Sequence, residues 1–220
     1  MNALGIDACP SGWVAIHTVD GHFEAAFVRR RFEDLLTVCA FDVIGVDIPI
    51  GLPDTPGRAA DHAARRFLGP ARSSVFLTYP RDVLSATSYD AAKKHCEQAG
   101  WPKPSLQSFG MRKRVFEVAA AIEAGGAPII EVHPELSFRV MAETVDSNMP
   151  RGPKSSWAGW LDRRELLERT GMKLPDDLGS MPLIDTLDAA AAAWSAHRFA
   201  FNAARRFPEH SVSQTMTIWA

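Results

Sequence analysis

The sequence predicts an α/β protein: a mixed sheet flanked by helices, with a largely helical insertion between its fourth and fifth strands. Three observations lead there. Two apolar runs each carry an aspartate at or near their end, ALGIDA at Asp7 and FDVIGVDIPI at Asp47. The first run is followed by two turn signals that fold it into a meander. A long alanine-rich helix bearing Asp185 and Asp188 comes late in the chain.

The elements follow in order. Residues 3–8 form a strand, and Pro10, Ser11 and Gly12 turn the chain into a second, WVAIHTV. Asp20, Gly21 and His22 turn it again into FEAAFVRR, and Phe32, Leu35 and Leu36 then recur at helical spacing in FEDLLTVC. Residues 41–50 are continuous and β-branched, as a strand buried on both faces must be, and Gly51, Pro53 and Pro56 stop them. Residues 51–127 read as helices near RAADHAARRF, YDAAKKHCEQ and LQSFGMRKRVFEVAAAIEA, longer than a crossover requires. PIIEVH is a second buried strand, followed by Pro134 and Glu135 at the start of a helix. SWAGWLDRRELLERT is a helix ended by Gly171, and residues 182–200 form the strongest helix of the chain. The tail segment TMTIW predicts a short edge strand.

Composition restricts the function. At 220 residues, one domain spanning 1–220 with 51–127 as an insertion within it is the economical reading. The net charge of −2 gives no global field that would draw the molecule to nucleic acid or an anionic membrane. Basic charge is instead concentrated in the insertion, which holds 11 Lys and Arg against 7 Asp and Glu, while the remainder holds 13 against 19. Cys9, Cys39 and Cys96 are too few and too widely spaced for a disulfide framework or a CxxC site, so they are expected to be reduced thiols. The opening MNALGIDACPSGW has no basic stretch leading into a long apolar one, and no run approaches the roughly 18 apolar residues of a membrane span. A cytoplasmic protein without a membrane partner is expected.

The chemistry lies in the acids. A carboxylate at the end of a buried strand is costly unless paired or coordinated, and several together repel one another. Asp185 and Asp188, three apart on one helix, project to the same face and can meet Asp7 and Asp47 at the sheet's carboxyl edge. Such a cluster demands a cation, and hard oxygen ligands suit Mg²⁺ or Mn²⁺. The alternative for each acid alone is a loop cap. Motifs for other chemistries, GxxxxGK[ST], GxGxxG, GxSxG and HExxH, do not occur.

The segments GIDACPSGWV, GVDIPIGLP, RAADHAARRFLG, SSVF, EVHPELSF and DTLDAAAAAW, in this order from Gly5 to Trp194, resemble the DUF429 family, described as predicted nucleases of RNase H-like fold. The resemblance implies metal-dependent phosphodiester hydrolysis of nucleic acid, with metal-binding carboxylates from the first strand, the fourth strand and a late helix. Those roles fall on Asp7, Asp47 and the pair Asp185 and Asp188. Where the family has Cys-Asp this chain has Ala60 and Asp61, which removes a thiol and leaves Asp61 and Arg65 available.

Further candidates surround this set. Glu135 is a fourth ligand, a general base or a charge at a helix start, and His133 is a proton shuttle or a hydrogen-bonded strand end. Arg58, Arg65, Arg66 and Arg72, with Ser73, Ser74 and Lys154, have the forks, hydroxyls and ammonium that bind phosphate, from nucleic acid or another phosphate-bearing ligand. Their alternative is a solvated helix face. Trp157 and Trp160 could stack on bases, though tryptophan at helical spacing is more often core, and Trp13 and Trp194 are assigned to packing on the sheet. Two other readings stay open: a nucleotide-dependent phosphotransferase, for which the chain is short, and a non-catalytic nucleic-acid or nucleotide binding module.

Overall fold

The computed structural model of the chain describes residues 1–210 and 216–220. Strands β1 (Asn2–Cys9), β2 (Gly12–Val19) and β3 (His22–Arg29) form the meander, followed by helix α1 (Phe32–Leu36) and strand β4 (Val43–Val46). The insertion comprises α2 (Ala59–Leu68), a 3-10 helix (Gly69–Ser74), α3 (Arg81–Leu84), α4 (Tyr89–Gln98), α5 (Leu106–Gly110) and α6 (Arg112–Ala124). Then come β5 (Ile129–Val132), α7 (Pro134–Thr144), α8 (Trp157–Arg169), α9 (Leu183–Ala200), β6 (Arg206–Phe207) and β7 (Ile218–Trp219). The seven strands form one mixed sheet in the order β3-β2-β1-β4-β5-β7-β6, with β1, β4, β5 and β7 parallel and β2, β3 and β6 antiparallel to their neighbours.

Two predicted elements differ. The run from Phe41 to Ile50 supplies only four strand residues, because its register with β1 ends at Val46 and Asp47 stands just beyond. The tail strand is not an edge: β7 lies between β5 and β6, and β6 takes the edge, while Thr215 of the predicted TMTIW lies outside the described residues. A local apolar pattern reveals that a strand forms but not which strand it pairs with.

Alternation along the strands sorts the side chains into two cores. Leu4 and Ile6 of β1, with Ile44 and Val46 of β4, face a layer built from α1 and α3–α6, where Phe32, Leu84, Phe109 and Val115 are buried. The opposite face of the sheet receives α9. Gly5 and Gly45, paired across β1 and β4, make this approach possible: a Cβ on Gly5 would lie 2.0 Å from the Ala189 carbonyl oxygen, and one on Gly45 would lie 2.6 Å from that of Ala192. The alanine run of α9 therefore rests on bare backbone, as its small side chains predict.

Trp13 packs edge-on against Phe32, and Trp194 is buried in the α9 core, both as expected. Trp157 is exposed and stacks on Trp160. Cys9, Cys39 and Cys96 are free thiols. Among the described residues no helix is long and apolar enough to cross a membrane.

Candidate functional site

Period two and the glycine contacts place the acids. Asp7 follows Gly5 by two residues on β1, Asp47 follows Gly45 by two at the end of β4, and Asp188 immediately precedes Ala189 on α9. All three therefore belong to the interface between the sheet and α9. The Asp47 N–H donates to the Ile6 carbonyl at 3.1 Å, so the two strand acids stand side by side where the parallel pair β1–β4 ends. Asp7 and Asp188 are buried, and Asp47 is partly exposed.

These groups feel one another. Burial, reinforced by the charges of Asp47 and Asp188, lifts the Asp7 carboxyl well above the ordinary range near 4. Burial pushes Asp47 up to about 7, with Lys154 opposing and Glu135 adding to the rise. Asp188 is pushed up to about 6 by burial against the pull of Lys154. Asp185, one helical turn away and partly exposed, is raised by burial.

Lys154 supplies the positive charge. Its ammonium donates to Asp188 Oδ2, while Asp188 Oδ1 is buried with no hydrogen-bond partner among the described residues. Although burial disfavours the ammonium, Asp188, Asp7 and Asp47 together hold its pKa above the usual lysine value. Lys154 lies in the loop between α7 and α8, and 34 residues separate it from its partner.

Glu135, in the first turn of α7, accepts two hydrogen bonds from one nitrogen of Arg163 on α8, at 2.8 and 2.9 Å. His133, which caps α7, has its Nε2 3.2 Å from the Ser74 carbonyl. A carbonyl can only accept, so Nε2 carries the proton and, in the neutral ring, Nδ1 is left as a buried lone pair without a partner among the described residues. Burial holds this imidazole below its ordinary pKa.

Arg58 is not available to a phosphate. It is 3% exposed, and its guanidinium donates to Asp61 (2.7 and 3.0 Å), Glu131 (2.5 and 2.6 Å) and the Ile50 carbonyl (2.7 Å). Asp61 also accepts from the Thr78 backbone at 2.7 Å, and Glu131 from Ile50 N–H at 2.6 Å. This buried network fastens the start of α2 to β5. Arg65 donates to the Val75 carbonyl at 2.8 Å, and Arg66 and Arg72 are exposed on the surface. The expected cluster of phosphate ligands is therefore divided. Ser73, Ser74 and Lys154 reach the site, and the arginines are engaged with the protein or point elsewhere.

One cavity of about 1000 Å³ joins these features. Its walls include Asp7, Asp47, Asp188, His133, Glu135 and Lys154, together with Asp185, Ser73 and Ser74. Sequence reasoning did not find Arg163 or Glu131. For Glu131 a signal existed, since a lone acid inside the apolar run PIIEVH requires a buried cation. Arg163 looks like any other arginine on a charged helix.

Among the described residues no three His, Cys, Asp or Glu side chains are gathered into a complete metal-ligand group. The chemistry nevertheless fits a hard divalent ion: three mutually repelling carboxylates, one with an orphaned buried oxygen, and a lysine ammonium as their counter-charge.

The seven-stranded mixed sheet flanked by helices is consistent with an RNase H-like α/β fold, the class its sequence predicts. A family model described as "Protein of unknown function (DUF429)" matches residues 5–212, and the chain belongs to that family. No curated protein and no solved structure matches it.

Proposed function

We propose that the protein is a divalent-metal-dependent phosphoesterase acting on phosphodiester bonds, with nucleic acid as the first substrate to test. One observation carries this reading: carboxylates from β1, the end of β4 and α9 meet at a cavity with their charge incompletely answered by a single lysine. Asp7, Asp47 and Asp188 would hold Mg²⁺ or Mn²⁺, with Asp185 or Glu135 assisting. When bound, such an ion supplies an activated water and stabilises the leaving oxygen.

The remaining work falls to the chain's own groups. The Nδ1 lone pair of His133 is suited to take a proton in the cavity. The grip of Arg163 keeps Glu135 in place with both oxygens engaged, which fits an electrostatic role better than proton transfer. Ser73 offers a hydroxyl to phosphate oxygens, Ser74 can do so only by giving up the Ala71 carbonyl to which it donates at 2.9 Å, and Lys154, when it leaves Asp188, provides a positive charge for the same purpose.

Purified protein with Mg²⁺ or Mn²⁺ is expected to hydrolyse at least one of a single-stranded, a duplex, a hybrid and a small phosphodiester substrate. Asp7→Asn is expected to lower that rate by about 100-fold or more. Inactivity across the whole panel in both metals would sink the reading.

A further inference from the structure

The walls of the cavity carry information about the substrate that the carboxylates do not. Seven Asp and Glu side chains line it against four Lys and Arg. Each of the four cations already has a carboxylate: Arg58 has Asp61 and Glu131, Lys154 has Asp188, Arg163 has Glu135, and Arg139 has Glu143 at 3.5 Å. A polynucleotide draws most of its affinity from unpaired Lys and Arg spaced along its phosphates. The exposed Arg66 and Arg72, which could act in that way, do not line the cavity.

The rest of the wall carries uncharged polar side chains, Ser73, Ser74, Gln107 and Ser108 among them, and a set of apolar ones. Phe76 and Met149 are large hydrophobic side chains left 37% exposed, and both line the cavity, as do the half-buried Leu77 and Met111. Exposed apolar side chains at a cavity are the mark of a ligand that brings an apolar face. A volume of about 1000 Å³ is at the upper end for small-molecule pockets, which run from about 300 to 1,000 Å³. It does not enclose a duplex.

We infer that the cavity takes a compact phosphoester of nucleotide size, with one phosphate at the carboxylates and an aromatic base or ring against Phe76 and Met149. The inference rests on the phosphoesterase reading for the position of the phosphate, and on the cavity walls for everything else. Aromatic stacking and sulfur–aromatic contact supply the affinity that free cations do not. The same chemistry comes from two sources, a free nucleotide ester or the unpaired end of a strand.

The test uses the full chain and defined probes. Thymidine 5′-(p-nitrophenyl) phosphate, a linear single strand and a closed single-stranded circle are offered with Mn²⁺, and binding of thymidine 5′-monophosphate is measured by calorimetry with Ca²⁺. Turnover of the small ester with the circle spared is expected. Shortening of the linear strand from its end identifies a strand terminus as a source, and an intact linear strand identifies the free ester. Phe76→Ala, a partly exposed position whose melting temperature serves as the folding control, is expected to raise KM for the ester about tenfold while kcat changes little. Met149→Ala is expected to act in the same direction.

Cutting of the circle as fast as the ester, or a KM unmoved by either variant, overturns the inference and leaves the phosphoesterase reading intact. Failure of every probe to react, with monophosphate binding that Phe76→Ala weakens, supports the inference and overturns the hydrolytic reading. Neither reaction nor binding overturns both.

Discussion

At Asp188 a buried carboxylate has one oxygen on a lysine ammonium and the other without a hydrogen-bond partner among the described residues. An unpaired buried acceptor costs about 1–3 kcal/mol, more if charged. Lys154→Met is therefore expected to destabilise the metal-free protein by about 1–3 kcal/mol, toward the lower end because the lysine side chain is 42% exposed. Removing the resident cation also removes a competitor, so saturating Mg²⁺ is expected to raise the melting temperature of Lys154→Met by more than it raises that of the parent. A smaller shift in the variant would show that Lys154 assists the ion. The acids imply a pH dependence of definite sign. Asp7, Asp47 and Asp188 keep their protons in the folded chain above the ordinary carboxylate pKa, Asp47 up to about 7. The folded state thus binds more protons than the unfolded one, and this cluster's contribution to stability falls as pH rises from about 4 to about 7. Asp47→Asn is expected to flatten that part of the metal-free melting profile and to raise the melting temperature on its alkaline side. Parallel profiles for parent and variant would contradict the assignment.

Two glycines and an alanine run decide how close α9 comes to the sheet, and with it whether Asp188 reaches Asp7. Gly5→Ala would put a methyl group 2.1 Å from the Ala193 nitrogen as well as on the Ala189 carbonyl. Backbone on both sides cannot yield, so the substitution is expected to cost about 3 kcal/mol or more in urea unfolding. Gly110→Ala, with nothing within 4 Å of the added carbon, is expected to be neutral or slightly stabilising. Equal effects at the two positions would remove the close approach as the explanation. This element was legible in the sequence, because alanine repetition and lone strand-end acids are local patterns. The partnerships were not. Lys154 meets Asp188 across 34 residues, and Arg58 meets Glu131 across 73, distances over which a single sequence holds no record of contact. Arg58 looked like a phosphate ligand because nothing local distinguishes a buried arginine from an exposed one, and β7 looked like an edge because pairing order is a property of the whole sheet.

Across the whole molecule, the insertion from residue 51 to 127 is joined to the sheet through several buried contacts. Its helices α3–α6 share a core with β1 and β4, α2 lays Ala60, Ala64 and Leu68 into the core that α7 and α9 form on the other face, and the start of α2 is bound to β5 by the network of Arg58, Asp61 and Glu131. These joints are buried, so the insertion and the sheet are expected to unfold together as the single domain that the chain length predicts. Tryptophans lie on both sides, Trp101 in the insertion and Trp194 against the sheet, with Trp13 of β2 at the boundary, where its indole N–H donates to Glu117 of α6 at 2.9 Å, so fluorescence and far-ultraviolet circular dichroism report on both regions. Their urea transitions are expected to coincide in the parent protein. Arg58→Met leaves two buried carboxylates without their cation, and breaking a buried pair in this way costs about 3–5 kcal/mol. That loss is expected to fall on one joint only: α2 and the 3-10 helix after it should gain protease sensitivity, and the two transitions should separate. Combining Arg58→Met with Asp61→Asn and Glu131→Gln neutralises the stranded charges and is expected to recover most of the lost stability, because the penalty lies in unpaired charge rather than in missing volume. A single substitution costing under about 1 kcal/mol, or transitions already separate in the parent, would mean that the insertion folds as an independent unit and that the cavity between it and the sheet owes its shape to something other than this network.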